Sequence, residues 1–181
     1  FDGILALLFE DRETSYSFMC ICTYLPPENS VWGRNAFMFY NHLLQLVYTF
    51  SDVDALCICG DLNSRIGSMS DYNVDLDNVP ARIPLDKTKN LHGEALIDFL
   101  LDAKMCVLNG RLNSHCDEHT VVNSRGKLVV DYMIVPHDVL NMCKSFEVIY
   151  FEKLVEEAKL IQLISERCKI PEHAEIGREH L

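Results

Sequence analysis

Apolar and polar positions alternate along this chain in short blocks, and most blocks end on a turn signal. Residues 4–9 and 16–25 read as two strands joined by the polar turn Glu10-Asp11-Arg12-Glu13-Thr14. The second run is apolar on both faces, as expected of a strand central in its sheet, and it stops at Pro26-Pro27, where two prolines cannot continue a ladder. Over 35–50 the apolar period changes to that of a helix, with Phe37, Tyr40, Leu44 and Val47 on one face. Residues 55–59 read as the next strand, and 64–90 as a polar loop with an acidic patch at Asp71, Asp75 and Asp77. A second helix is expected over 92–104, with Leu96, Phe99, Leu100 and Ala103 inward, followed by a short strand from Met105 to Asn109. His119 to Val122 and Leu128 to Val135 pattern a hairpin around Asn123-Ser124-Arg125-Gly126. A strand at Phe146 to Tyr150 and a helix over roughly 152–168, striped by Leu154, Ala158, Ile161 and Cys168, complete the reading. With no internal repeat, low-complexity tract or linker, the pattern predicts one domain over residues 1–181, α/β or α+β, with sheet packed on sheet and helices outside.

Composition narrows the function classes. A chain of 181 residues that is 49% hydrophobic and 24% charged is ordinary globular material, long enough to bury a sizeable core. No apolar run approaches the length of a membrane span. The first residues carry no basic leader and read as a strand, so the chain is expected to be a fragment of a longer domain. A net charge of −11 argues against a pure nucleic-acid-binding module. It argues less against a metal-dependent phosphodiesterase, because bound cations offset local charge. The eight cysteines include the pairs Cys20/Cys22 and Cys57/Cys59 in apolar runs, without the spacing of a zinc knuckle. They read first as reduced, buried small hydrophobes, with metal binding or a disulfide as alternatives. That implies a reducing compartment, nuclear or cytoplasmic.

Chemistry concentrates where apolar strands end. Cys57-Ile58-Cys59-Gly60-Asp61-Leu62-Asn63 closes an apolar run with a glycine, a carboxylate and, two residues on, a carboxamide. In extended backbone Asp61 and Asn63 share a side, where they can hold a divalent cation or a phosphate oxygen. Gly-Asp-x-Asn is also an ordinary turn sequence. Three more strand ends carry polar groups: Tyr24 before Pro26-Pro27, Asp131 in Val129-Val130-Asp131-Tyr132-Met133-Ile134, and Glu172-His173 after Ile170-Pro171. A carboxylate inside an apolar strand must be paired or ligating, because burying it alone is expensive. His173, His137 and His119 are the candidate partners of Asp131. His137 is disfavoured because Pro136 ends the ladder before it.

The order Tyr-x-Pro-Pro, Gly-Asp-Leu-Asn, Asn109-Gly110-Arg111, Gly126-x5-Tyr132 containing Asp131, and Pro171-Glu172-His173 is similar to the endonuclease/exonuclease/phosphatase superfamily. It resembles most the apurinic-endonuclease-like domains of non-LTR retrotransposons. The resemblance covers about residues 4 to 176. It implies a DNase I-like α/β fold, a two-sheet sandwich with outer helices, incomplete here at its N-terminus. It also implies Mg²⁺- or Mn²⁺-assisted phosphodiester hydrolysis on DNA. Carried over residue by residue, Tyr24 would hydrogen-bond the phosphate, Asp61 would orient or deprotonate the attacking water, and Asn63 would position water and phosphate. His173 would stabilise developing charge or act as base, held by Asp131. Asp61, Asn63 and Glu172 would be the metal ligands.

The sequence departs from that pattern in places. Glu172 stands where the family usually has Asp, Ala174 where Ser is frequent, and Leu128 where a small polar residue is common. The family's N-terminal strands, with an Asn and the metal-binding Glu, would precede Phe1. Weak or absent nuclease activity is therefore expected of this chain alone. A non-catalytic remnant or interaction unit, and a phosphatase of the same superfamily, stand as the alternative readings. The missing leading strands also predict an open sheet edge at Ile4 to Phe9 or Tyr16 to Leu25.

Overall fold

The computed structural model describes residues 3–33, 35–112, 119–124, 126–150, Val155, Glu156 and Lys159. The chain forms two compact units, Phe1–Val148 and Ile149–Leu181. In the second, Val155, Glu156 and Lys159 are helical. Most of the expected 152–168 helix, with Glu172 and His173, lies outside the described residues.

The first unit is mixed α/β. Its strands are β1 (Ile4–Glu10), β2 (Ser17–Tyr24), β3 (Ala55–Asp61), β4 (Met105–Val107), β5 (Val121–Asn123), β6 (Gly126–Leu128) and β7 (Asp131–Pro136). Its helices are α1 (Ala36–Thr49) and α2 (Leu91–Ala103). Five strands make one sheet in the order β1-β2-β3-β7-β4, and β5-β6 make a two-stranded sheet. β1 is the edge expected of it, with Leu5, Leu7, Leu8 and Phe9 exposed. Only β2 and β3 run parallel, and the helix that parallel strands require as a crossover is α1.

Period-2 patterning sorts the large sheet into two faces. Met19, Ile21, Leu56, Ile58, Tyr132, Ile134, Met105 and Val107 point to the helices and meet Tyr40, Leu43, Leu96, Phe99 and Leu100 in the main core. Cys57, Cys106 and Val135 point the other way, under a cover of loop residues that includes Val79, Leu108 and Leu140. Among the described residues that cover does not reach β1, whose Leu5, Leu7 and Phe9 are exposed on this face.

Several expectations are corrected. The buried stripe of α1 is Ala36, Tyr40 and Leu43, while Phe37 is 69% exposed. Asn35 caps the helix by accepting the Met38 N–H, and this start sets the inward face one position away from Phe37. Leu128 to Val135 is not one strand: β6 ends at Leu128 and β7 begins at Asp131. The break arises because the Val130 and Asp131 N–H groups both donate to Thr120 Oγ1 instead of to a ladder. Asp131 is therefore the first residue of its strand, half-buried, and not a carboxylate in the middle of an apolar run. Residues 146–148 form no strand, and Ile149 and Tyr150 of the second unit are likewise non-strand.

The acidic patch also dissolves into structure. Asp71 is buried and takes two hydrogen bonds from Arg111, at 2.6 and 3.1 Å, and one from the Val107 N–H at 2.8 Å. Arg111 further donates to the carbonyls of Pro80 and Val107. This pair ties the 64–90 loop to β4. Asp77 lies instead beside Lys104, at 3.3 Å. Replacing Arg111 by Met would remove both short ionic hydrogen bonds of a buried carboxylate and leave it only the longer contact with Arg82, at 3.8 Å, and the Val107 N–H. It is expected to cost about 3 kcal/mol of stability, read as a lowered urea midpoint with an unchanged slope.

Candidate functional site

Register brings three of the expected residues to one row. In the parallel β2–β3 pair Tyr24 stands beside Asp61, and in the antiparallel β3–β7 pair Asp61 stands opposite Asp131. All three lie on the face turned away from the helices, at the C-terminal ends of β2 and β3 and the start of β7. Asn63 follows in the turn after β3. Its amide donates to the Leu25 carbonyl at 2.8 Å, and its own N–H donates to Asp61 Oδ1 at 2.9 Å. Asn63 has φ 45°, a left-handed conformation that Asn tolerates better than most residues.

The preceding glycine makes this row possible. Gly60 has φ 138°, and a Cβ built there would lie 1.9 Å from the Thr23 carbonyl oxygen. No side chain fits between β3 and β2 at that point. The contact is locked from the other side by Thr23 Oγ1, which donates to the Cys59 carbonyl at 3.0 Å.

Groups to which the sequence reading gave no role at the site brace the turn. Asn90, the cap of α2, accepts from the Arg65 and Gly93 N–H groups at 2.8 Å each and donates to the Asn63 carbonyl at 3.0 Å. Tyr40 and Ser64 hydroxyls are 2.7 Å apart, Ser64 donates to the Leu62 carbonyl, and Tyr132 hydroxyl lies 2.7 Å from the Ser64 carbonyl. Asn109, buried, donates to the Asp131 carbonyl and accepts from the Met133 N–H, which pins the start of β7. Arg65 grips Asp86 through two hydrogen bonds of 2.8 and 2.7 Å. Burial alone would raise the Asp86 carboxyl, but donation from Arg65 and from the Thr88 and Val129 N–H groups holds it below the usual carboxylate range. An Asn immediately before an apolar helical pattern was the one legible signal among these.

Electrostatics set Asp61 apart. Burial raises its carboxyl above the usual range, and the charge of Asp131 raises it further, against the hydrogen bond from Asn63 N–H. No ion pair among the described residues compensates either carboxylate. Two oxygen-bearing acids side by side, one partly desolvated and neither neutralised, suit a hard divalent cation such as Mg²⁺ or Mn²⁺. Such ions take one or two protein carboxylates and complete their shell with water and substrate phosphate. The donor set thus fits the cation that the resemblance implies.

The histidines divide. His137 sits at the far end of β7, its Nε2 3.2 Å from the Met105 carbonyl and its Nδ1 3.9 Å from Asp77, and it does not meet Asp131. His119 adjoins Thr120, whose hydroxyl meets the Asp131 backbone, yet no hydrogen bond or ion pair joins His119 to Asp131 among the described residues.

No family model and no curated protein matches the chain. Among solved structures the chain is similar to NExo, a 3′ phosphatase from Neisseria, in its complex with product DNA hairpin. The identity is 11% and the TM-score 0.46, and the match covers 72% of this chain and 51% of that one. The chain thus spans about half the length of that structure. No helix among the described residues is long and apolar enough to cross a membrane.

Two outcomes follow from the geometry. Gly60→Ala is expected to cost roughly 2–4 kcal/mol, combining a disfavoured φ with the clash against Thr23, and to lower the thermal midpoint accordingly. Asp61→Asn is expected to stabilise. Because the folded pKa of Asp61 is raised, its ionised form opposes folding, a penalty fully present above the folded value and absent below the unfolded one. The gain should therefore be present at pH 7, first from relief of the half-buried charge and then from relief of the like charge of Asp131 opposite, together roughly 0.2–1 kcal/mol, and should vanish as the pH falls through the carboxylate range. Melts of both proteins across pH 3–8 measure it.

Proposed function

We propose that this chain carries part of the site of a divalent-metal-dependent phosphodiesterase acting on DNA. The observation that carries the reading is the Asp61–Asp131 pair at adjacent strand ends, flanked by Tyr24 and by Asn63 in the following turn. In-line attack on a phosphodiester needs a positioned water, donors to the phosphate oxygens and a cation against the developing charge. Asp61 is half-buried and faces the charge of Asp131, a repulsion that a cation bound between them would offset, and Asp61 would then orient the attacking water. Tyr24 presents an exposed phenol at the rim, where its hydroxyl can reach a phosphate oxygen. Asn63 is fixed by its bond to Leu25 and turns the backbone around the same spot. Asp61 and Asp131 would hold the cation, which supplies Lewis-acid stabilisation of the phosphate when bound.

His173 and Glu172 complete the proposal on the strength of the sequence resemblance. In this reading His173 meets the phosphate and Glu172 adds a ligand. A retrotransposon endonuclease is the specific class proposed, and a nuclear or cytoplasmic location goes with it.

The test separates binding from turnover. Mn²⁺ titrated into the protein and followed by electron paramagnetic resonance should show one site, lost in the Asp61→Asn/Asp131→Asn double variant. Mg²⁺ should raise the wild-type melting temperature and leave that variant unmoved. Plasmid nicking in millimolar Mg²⁺ or Mn²⁺ should fall to background in Asp61→Ala. Mn²⁺ affinity equal in wild type and double variant would overturn the reading.

A further inference from the structure

The open face of the sheet carries four thiols in a two-by-two array. Cys20 and Cys22 alternate along β2, Cys57 and Cys59 along β3, and the parallel register sets Cys20 beside Cys57 and Cys22 beside Cys59. The sulfurs of Cys20, Cys22 and Cys59 all lie within 4.8 Å of one another, and Cys22 Sγ is 3.9 Å from Cys59 Sγ. All four are free thiols. Met133, a thioether, stands opposite Cys59 on the same face.

A cysteine used as a small hydrophobe is buried, as Cys106 is at 0% exposure. Cys20, Cys22 and Cys59 are only half-buried, and they converge. Their spacing has a chemical meaning. A Zn–S bond of about 2.3 Å requires neighbouring sulfurs roughly 3.8–4.0 Å apart in tetrahedral or trigonal coordination. The Cys22–Cys59 separation already meets that requirement, and the Cys20 sulfur lies within 4.8 Å of both. No zinc-knuckle spacing exists because the ligands come from neighbouring strands rather than from one loop.

We propose that Cys20, Cys22 and Cys59 form a binding site for a thiophilic closed-shell cation, Zn²⁺ or Cu⁺. Soft thiolates select these ions over Mg²⁺ and Mn²⁺, whereas the carboxylates of the next row, Asp61 on β3 and Asp131 on β7, select the reverse. The two sites are thus adjacent but chemically separate. On binding, each of the three thiols gives its proton to the buffer and its sulfur lone pair to the metal. The half-buried setting leaves a fourth coordination position, for water or for a sulfur such as Met133.

Anaerobic Co²⁺ titration of the reduced full chain tests this. One Co²⁺ per chain, a thiolate-to-cobalt charge-transfer band and its displacement by Zn²⁺ are expected. The band should fall at least tenfold in the Cys22→Ser/Cys59→Ser variant. It should persist in Cys106→Ser and in Asp61→Asn, which separates this site from the carboxylate site. A readout on the unmutated protein guards against misfolded variants: Zn²⁺ should slow alkylation of Cys20, Cys22 and Cys59, followed by peptide mass, and leave Cys143 unprotected. Absence of the band, its survival in the double variant, or equal alkylation with and without Zn²⁺ would each overturn the proposal.

Discussion

Everything at the candidate site depends on how closely β3 can approach β2 at Gly60. The backbone oxygen of Thr23 occupies the space where any side chain at position 60 would begin. Because the strands meet there, β3 stays in register to its last residue, and Tyr24, Asp61 and Asp131 fall in one row. Shifted by one residue, the same strands would turn Asp61 toward the helices and Ile58 toward solvent. The glycine is a steric condition of the site, placed next to the acid that it positions.

Around that contact the protein spends its polar groups on the turn, and no ion pair among the described residues compensates the carboxylates. Asn90 joins the start of α2 to the 63–65 backbone, while Tyr40, Ser64 and Tyr132 hold the turn from within the core. Asn109 and Thr120 fix the start of β7. The framework is rigid where the charges are strained, which is the usual relation between a site and its support. Neutralising Asp61 would relax the fold and remove the group best suited to bind a cation.

The sheet divides labour between its faces. The helix side is a packed aliphatic and aromatic core. The other side carries a row of soft donors followed by a row of hard ones, at the same strand positions two residues apart. Strand alternation produces this arrangement without any extra element. It also leaves Leu5, Leu7 and Phe9 of the edge strand exposed on that side.

The sequence by itself determined β1 to β4, both helices within a residue or two, the turn that follows β5 and the strand-end positions of Tyr24 and Asp61. These depend on local period and on Gly, Pro and Asn, whose backbone preferences act over a few residues. It misjudged Phe37, because a helix's inward face is set by its cap and its neighbours as well as by its stripe. It also set Asp131 inside an apolar strand, since the hydroxyl that ends the ladder comes from Thr120, eleven residues away. Only tertiary structure decided that Asp71 is buried between Arg111 and Arg82 and that Asp61 faces Asp131. Only tertiary structure gathered three cysteines from two strands around one point. Pairing across strands is a long-range choice, fixed by register and by which face is buried, and no spacing along the chain records it.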